Sequence, residues 1–113
     1  MFLKLYERVK TLVVWIDFDC SSPLLEGDDP VELLEGVKER LINIHASDRR
    51  PGESGHRSLG EGAVPFDRIF GILAEAGYAG YISVVDDSPD GEVGLERSLA
   101  FLHRMIDNYW PDP

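Results

Sequence analysis

The sequence predicts an α/β fold in which three parallel strands alternate with three helices, in the order βαβαβα. Three observations predict it. Short β-rich apolar runs recur along the chain, stretches of helical period separate them, and Pro or Gly marks the ends of the helical stretches. Right-handed crossovers of that length make the strands parallel and bring their carboxyl ends to one side.

The first run, Leu12-Val13-Val14-Trp15-Ile16-Asp17-Phe18, is β-rich and mostly apolar, and a stretch around Leu3 to Val9 reads as the tail of a preceding helix. A helix start follows, with Asp29 as cap, Pro30 at the first helical position and Glu32 three residues after the cap. Val31, Leu33, Leu34, Val37 and Leu41 space its apolar stripe. Leu41 to Ala46 forms the second strand, and residues 47 to 63 form a loop rich in glycine, serine and charge. Pro65 opens the second helix, which turns Phe66, Ile69, Phe70 and Leu73 inward and stops at Gly77. Tyr81 to Val85 is the third strand. The acidic turn from Asp86 to Gly91 leads to a last helix, about Glu92 to Asn108, with Leu95, Leu99, Leu102 and Ile106 as the expected inward stripe.

With 113 residues, 43% of them hydrophobic and 28% charged, the chain has the composition of one globular domain, residues 1–113, without a linker. No 18-residue apolar run is present to span a bilayer, and the first residues lack the pattern of a secretory signal, so the expected location is cytoplasmic. The single cysteine, Cys20, cannot form an internal disulfide and fits a reducing compartment. A net charge of −10 disfavours nucleic acid, whose binding draws on cations that neutralise phosphates. Arg49, Arg50 and Arg57 form the one basic cluster.

Asp19, His45 and the Asp86-Asp87 pair fall at the carboxyl ends of the strands, where parallel α/β folds bind ligands. Each also has a plainer reading. Asp19 suits a turn or cap, His45 a hydrogen-bonded core histidine, and His56 a solvated loop position. Arg49 and Arg50 could grip a substrate anion or stay solvated. Gly60-Glu61-Gly62 could approach a ligand through its backbone or merely bend the loop. Three parallel strands with helices on one face leave two edges and an inner face uncovered. The expectation is therefore a partner: another copy, a complementary piece, or further chain.

Five segments in this order, Asp19-Cys20-Ser21-Ser22-Pro23, Gly27-Asp28-Asp29-Pro30, Ile42 to Asp48, Leu59-Gly60-Glu61-Gly62 with Phe66, and Gly77 to Val84, resemble the sugar phosphate isomerase/epimerase family. These are xylose isomerase-like TIM barrels related to the apurinic endonucleases. The resemblance covers nearly the whole chain and matches the last three βα units of the barrel, so it implies a partial barrel. It also implies a divalent metal (Mn, Mg, Co or Zn) held by four ligands, of which Asp19 and His45 match the middle two. The family's last ligand, a Glu, falls at Val85, and Ser22 stands where many members carry a substrate- or metal-contacting His. His56 resembles a metal-binding His of the endonuclease branch.

The chemistry so implied is proton transfer between adjacent carbons of a ketose or other hydroxy-carbonyl compound, assisted by the metal. Val85 cannot accept a proton. The expected metal positions are thus Asp19, His45 and His56, and the expected substrate positions Ser22, Arg49 and Arg50, with no catalytic residue assigned. Three readings follow: a segment active only when completed by a missing half, a degenerate relative kept for binding, and a self-assembling scaffold. A homo-oligomer or a complementary half-barrel is the expected partner.

Overall fold

The computed structural model describes residues 15–111. The part of the first strand before Trp15 and the helix tail around Leu3 to Val9 lie outside the described residues. Within them, strand β1 (Ile16–Asp19) is followed by a one-turn helix α1 (Ser22–Leu25) and helix α2 (Pro30–Val37). A 3-10 turn at Lys38–Arg40 leads into β2 (Leu41–Ala46), and α3 (Phe66–Glu75), β3 (Tyr81–Val84) and α4 (Gly91–Tyr109) complete the order. The sheet runs β1-β2-β3 with both pairings parallel, as the crossovers require.

Local chemistry explains the helix ends. Asp29 stays extended while its Oδ1 accepts the Val31 amide at 2.9 Å, and Pro30 supplies a fixed φ in the first turn. At the end of α3 the chain turns through Gly77 at φ +73°, a left-handed conformation that costs glycine little. Helix α1, absent from the sequence reading, is a tight turn started by the Asp19 carboxylate, whose Oδ1 accepts the amides of Ser21 and Ser22.

Phe18, Ile44 and Ile82 lie in register across the sheet, with Ala46 and Val84 one row further on. They face the helices, where Val31, Leu34 and Val37 of α2 and Ile69, Phe70 and Leu73 of α3 are all buried. Each such burial stabilises the fold by about 1.5–3 kcal/mol. The opposite face carries Asp17, Asn43 and Tyr81 in one row and Asp19, His45 and Ser83 in the next. No described element covers that face, and Tyr81 on it is 79% exposed.

Helix α4 departs from expectation. Leu102 is buried and Ile106 half-buried, but Leu95 and Leu99 are exposed, and the buried positions are Gly94, Ser98, Leu102 and Met105. The first half of the helix packs on the 47–65 loop rather than on an apolar layer. The Ser98 Oγ accepts the Leu59 amide at 2.9 Å and donates to Asp86 at 2.7 Å, so small and hydroxylated residues line the contact.

The loop is held by one carboxylate. Asp48 is fully buried, and its Oδ1 accepts the amides of Arg49 (2.9 Å) and Val64 (3.1 Å) while its Oδ2 accepts those of Gly60 (2.9 Å) and Gly62 (3.0 Å). Burial pushes its carboxyl above the ordinary range against the pull of those four donors. A Cβ at Gly62 would collide with the Asp48 Oδ1 and sit 2.7 Å from the backbone N and O of Arg49. The two glycines thus approach an internal ligand, the Asp48 side chain.

Asp48→Ala strips a partner from four backbone donors, each worth about 1–3 kcal/mol when left unsatisfied. Urea unfolding is expected to show a loss of at least about 3 kcal/mol, with Gly62→Ala destabilising in the same direction. A loss below about 1 kcal/mol for Asp48→Ala would contradict this role.

Candidate functional site

Parallel register sets Asp19 beside His45 on the inner face, at the carboxyl ends of β1 and β2. The Asp19 Oδ1 accepts the Ser47 hydroxyl at 2.7 Å and the amides of Ser21 and Ser22 at 3.0 and 3.2 Å. Burial pushes the Asp19 carboxyl up, but the Ser47 hydroxyl and the two amides outweigh it and hold the group below the usual range. It therefore stays ionised. The turn-or-cap contacts of this residue converge on Oδ1, the Ser22 side chain lies close enough to help hold the carboxylate ionised, and no other described residue engages Oδ2.

His45 directs its Nε2 at Asp17. Its Nε2 lies 2.9 Å and 3.0 Å from the two carboxylate oxygens of Asp17, one row toward the amino end. Asn43, between them on the same face, donates its Nδ2 to Asp17 Oδ1 at 3.3 Å and accepts the Ser83 hydroxyl at 3.2 Å. Neither Asp17 nor Asn43 was picked out by sequence reading. The signal available was alternation, which places residues two before Asp19 and two before His45 on the same face as they are.

The other expected residues are used elsewhere. Arg49 is buried and donates Nε to Ser21 Oγ (3.1 Å), Nη1 to the carbonyls of Glu53 (3.3 Å) and Ser54 (3.2 Å), and Nη2 to His56 Nε2 (2.8 Å). It braces the loop instead of presenting a fork to a substrate. Because a guanidinium only donates, His56 Nε2 must accept, and its Nδ1–H then donates to Asp87 Oδ1 at 2.9 Å. Both ring nitrogens of His56 have partners within the chain, one in the loop and one past β3. Arg57 forks onto Glu53 at 3.1 and 3.0 Å. Ser22 and Arg50 are exposed at the rim.

A buried serine pair joins the parts: Ser21 Oγ and Ser47 Oγ are 2.7 Å apart, linking Arg49 on one side to Asp19 on the other. Val85 donates its amide to the Ala46 carbonyl, one step past β3, so alternation sets its side chain on the inner face with Ser83. Asp86 goes the other way. It accepts the hydroxyls of Ser98 (2.7 Å) and Ser58 (2.9 Å) and the Ser88 amide (2.9 Å), so it does not replace a glutamate at Val85. Among the described residues no group of three His, Cys, Asp or Glu side chains is arranged to hold a metal ion.

A family model described as xylose isomerase-like TIM barrel matches residues 2–105. Inosose dehydratase from Clostridium botulinum is 28% identical over 89 residues, covering 64% of this chain and 30% of that protein. L-ribulose-5-phosphate 3-epimerase UlaE from Salmonella paratyphi B is 29% identical over 101 residues, covering 85% and 32%. A xylose isomerase domain protein from Planctomyces limnophilus superposes with a TM-score of 0.80 at 26% identity, covering 96% of this chain and 43% of its own. A zinc-bound IolI protein superposes with a TM-score of 0.75 at 18% identity, covering 96% and 44%, a likeness of fold. The chain spans about a third of the length of the curated relatives it matches.

The Asp86 and Asp19 carboxylates are held ionised in the folded rim, and acid should weaken those contacts. Burial raises the Asp86 carboxyl, but the Ser88 and Ser98 hydroxyls, the Ser88 amide and the Ser58 hydroxyl bring it down to about 2 from an ordinary 3.8. A depressed folded value contributes stability that is complete above about pH 4 and lost as pH falls toward 2. Solvent screening reduces the effect of so open a group, so Asp86→Asn is expected to cost about 1 kcal/mol at neutral pH and to flatten part of that acid limb in urea unfolding; Asp19 acts in the same direction, and Asp48, whose carboxyl is raised, in the opposite one. An unchanged limb in Asp86→Asn would remove the Asp86 cluster from the account.

Proposed function

The chain belongs to the xylose isomerase-like TIM-barrel family, and from that premise we propose that it supplies part of the ligand-facing rim of a sugar isomerase or epimerase barrel. The compound handled is a ketose or related hydroxy-carbonyl substrate, and the reaction is proton transfer between adjacent carbons. One observation carries the reading: Asp19 and His45, on neighbouring parallel strands, stand in register at the carboxyl ends on the inner face. Residues 1–113 form a single partial barrel domain in this proposal, cytoplasmic and with the fully buried Cys20 reduced. A complementary half-barrel or further copies of the chain would cover the inner face.

The family's divalent metal does not fit the residues described. Asp19 and His45 are the two matched donors, Val85 offers a hydrocarbon at the last position, and His45 is directed at Asp17. Oxygen and imidazole sites commonly need at least three protein ligands. Retention of a metal therefore requires donors from outside these residues, and no step is assigned to it. What the chain itself supplies is an ionised Asp19 with one oxygen open to a substrate hydroxyl, an imidazole beside it, and the exposed Ser22 and Arg50 at the rim. The second reading, a degenerate relative kept for binding or assembly, is favoured by Val85 and by the same shortage of donors.

Zinc titration by calorimetry separates these readings. The 113-residue chain is expected to bind zinc weakly, and His45→Ala to abolish that binding with little change in melting, because His45 is partly exposed. Val85→Glu adds a third donor on the inner face and is expected to tighten binding at least about tenfold, or about 1.4 kcal/mol. Zinc affinity unchanged in both variants would take Asp19 and His45 out of a shared site.

A further inference from the structure

We propose that Asp17 is the positioning residue of the inner face: it fixes His45 in the Nε2–H tautomer, so that Nδ1 is the nitrogen His45 offers to a bound molecule. The His45 Nε2 is within 3.0 Å of both Asp17 oxygens. Without a proton there, a ring lone pair would face a carboxylate at that distance, which is repulsive; with one, it makes a charge-assisted hydrogen bond.

Asn43 Nδ2 also lies 3.3 Å from His45 Nε2, and that contact could be a bond only if the nitrogen carried no proton. The surrounding bonds decide between the two. Asn43 accepts the Ser83 hydroxyl through Oδ1, which turns its Nδ2 toward Asp17 Oδ1, so the amide holds the carboxylate rather than competing for the ring. Ser83 donates to Asn43, and Asn43 and His45 both donate to Asp17, so the network across the three strands converges on the Asp17 carboxylate. Among the described residues, Nδ1 carries no hydrogen bond.

An imidazole with one nitrogen pinned by a carboxylate and the other bare is arranged to accept, since the pinned N–H sets which lone pair is free. In the proposed proton transfer, Nδ1 would take the proton from the carbon next to the substrate carbonyl. The C–H electron pair would become the new carbon–carbon double bond and the carbonyl pair would move to its oxygen, giving an enediolate beside an imidazolium; return of that proton to the neighbouring carbon completes the transfer. That step rests on the reading above. The assignment of Asp17 and the tautomer does not.

The test is long-range proton–nitrogen correlation NMR on the labelled 113-residue chain near neutral pH. Wild type is expected to show His45 protonated at Nε2, with a resolved downfield proton signal. In Asp17→Ala the amide of Asn43 is free to donate to Nε2, so the Nδ1–H form should rise from a minor to a major share. Asp17→Glu should restore the wild-type pattern in part, and Asp17→Asn, which keeps the shape, should lose the downfield signal if the alanine variant fails to fold. A wild-type ring protonated at Nδ1 would overturn the proposal, and so would an Nε2–H form unchanged in Asp17→Ala or a downfield signal unchanged in Asp17→Asn. A chain with the expected tautomer that binds no ketose would refute the functional reading while leaving this one standing.

Discussion

The Asp48 carboxylate is the constraint on which the rest of the rim depends. A loop of some 19 residues without regular secondary structure must satisfy its backbone donors or lose free energy at each buried one. Here a single buried side chain accepts four of them, from both ends of the loop, and draws Gly60, Gly62 and Val64 back to the end of β2. Its two neighbours then fall where the site needs them. Ser47 holds Asp19, and Arg49 holds Ser21 and His56.

The two faces of the sheet divide the labour. The helical face is apolar and buried, and the inner face has polar groups in successive rows, with the exposed Tyr81 at its amino end. A two-layer domain normally keeps ionisable rows out of its core, so this arrangement fits strands whose inner face meets a ligand or other strands. The relatives and solved structures that match extend well beyond the span shared with this chain.

Much of this was legible in the sequence because the signals were local. The Asp29-Pro30 start, the Val31-Leu34-Val37 stripe and the Gly77 stop each act within one or two turns, and each appears as read. The recurring order of short motifs likewise pointed to the family. Helix α4 was misread because a count of apolar letters passes over Gly94 and Ser98, which face inward to meet a polar loop. The internal partners of Arg49 and His56 were not legible for a related reason: they are long-range bonds between a loop and the strand ends, and no spacing rule reports them. Asp17 escaped notice because it sits in a run read as apolar strand.

Hydrogen exchange at the amides of the 47–65 loop tests the central claim most directly. If Asp48 organises the rim, the amides of Arg49, Gly60, Gly62 and Val64 exchange as slowly as those of β2, although they belong to no strand or helix, while Gly52 and Gly55 exchange quickly. Uniformly fast exchange along the loop would mean that the carboxylate does not hold it, and that the placement of Asp19 and His56 has some other origin.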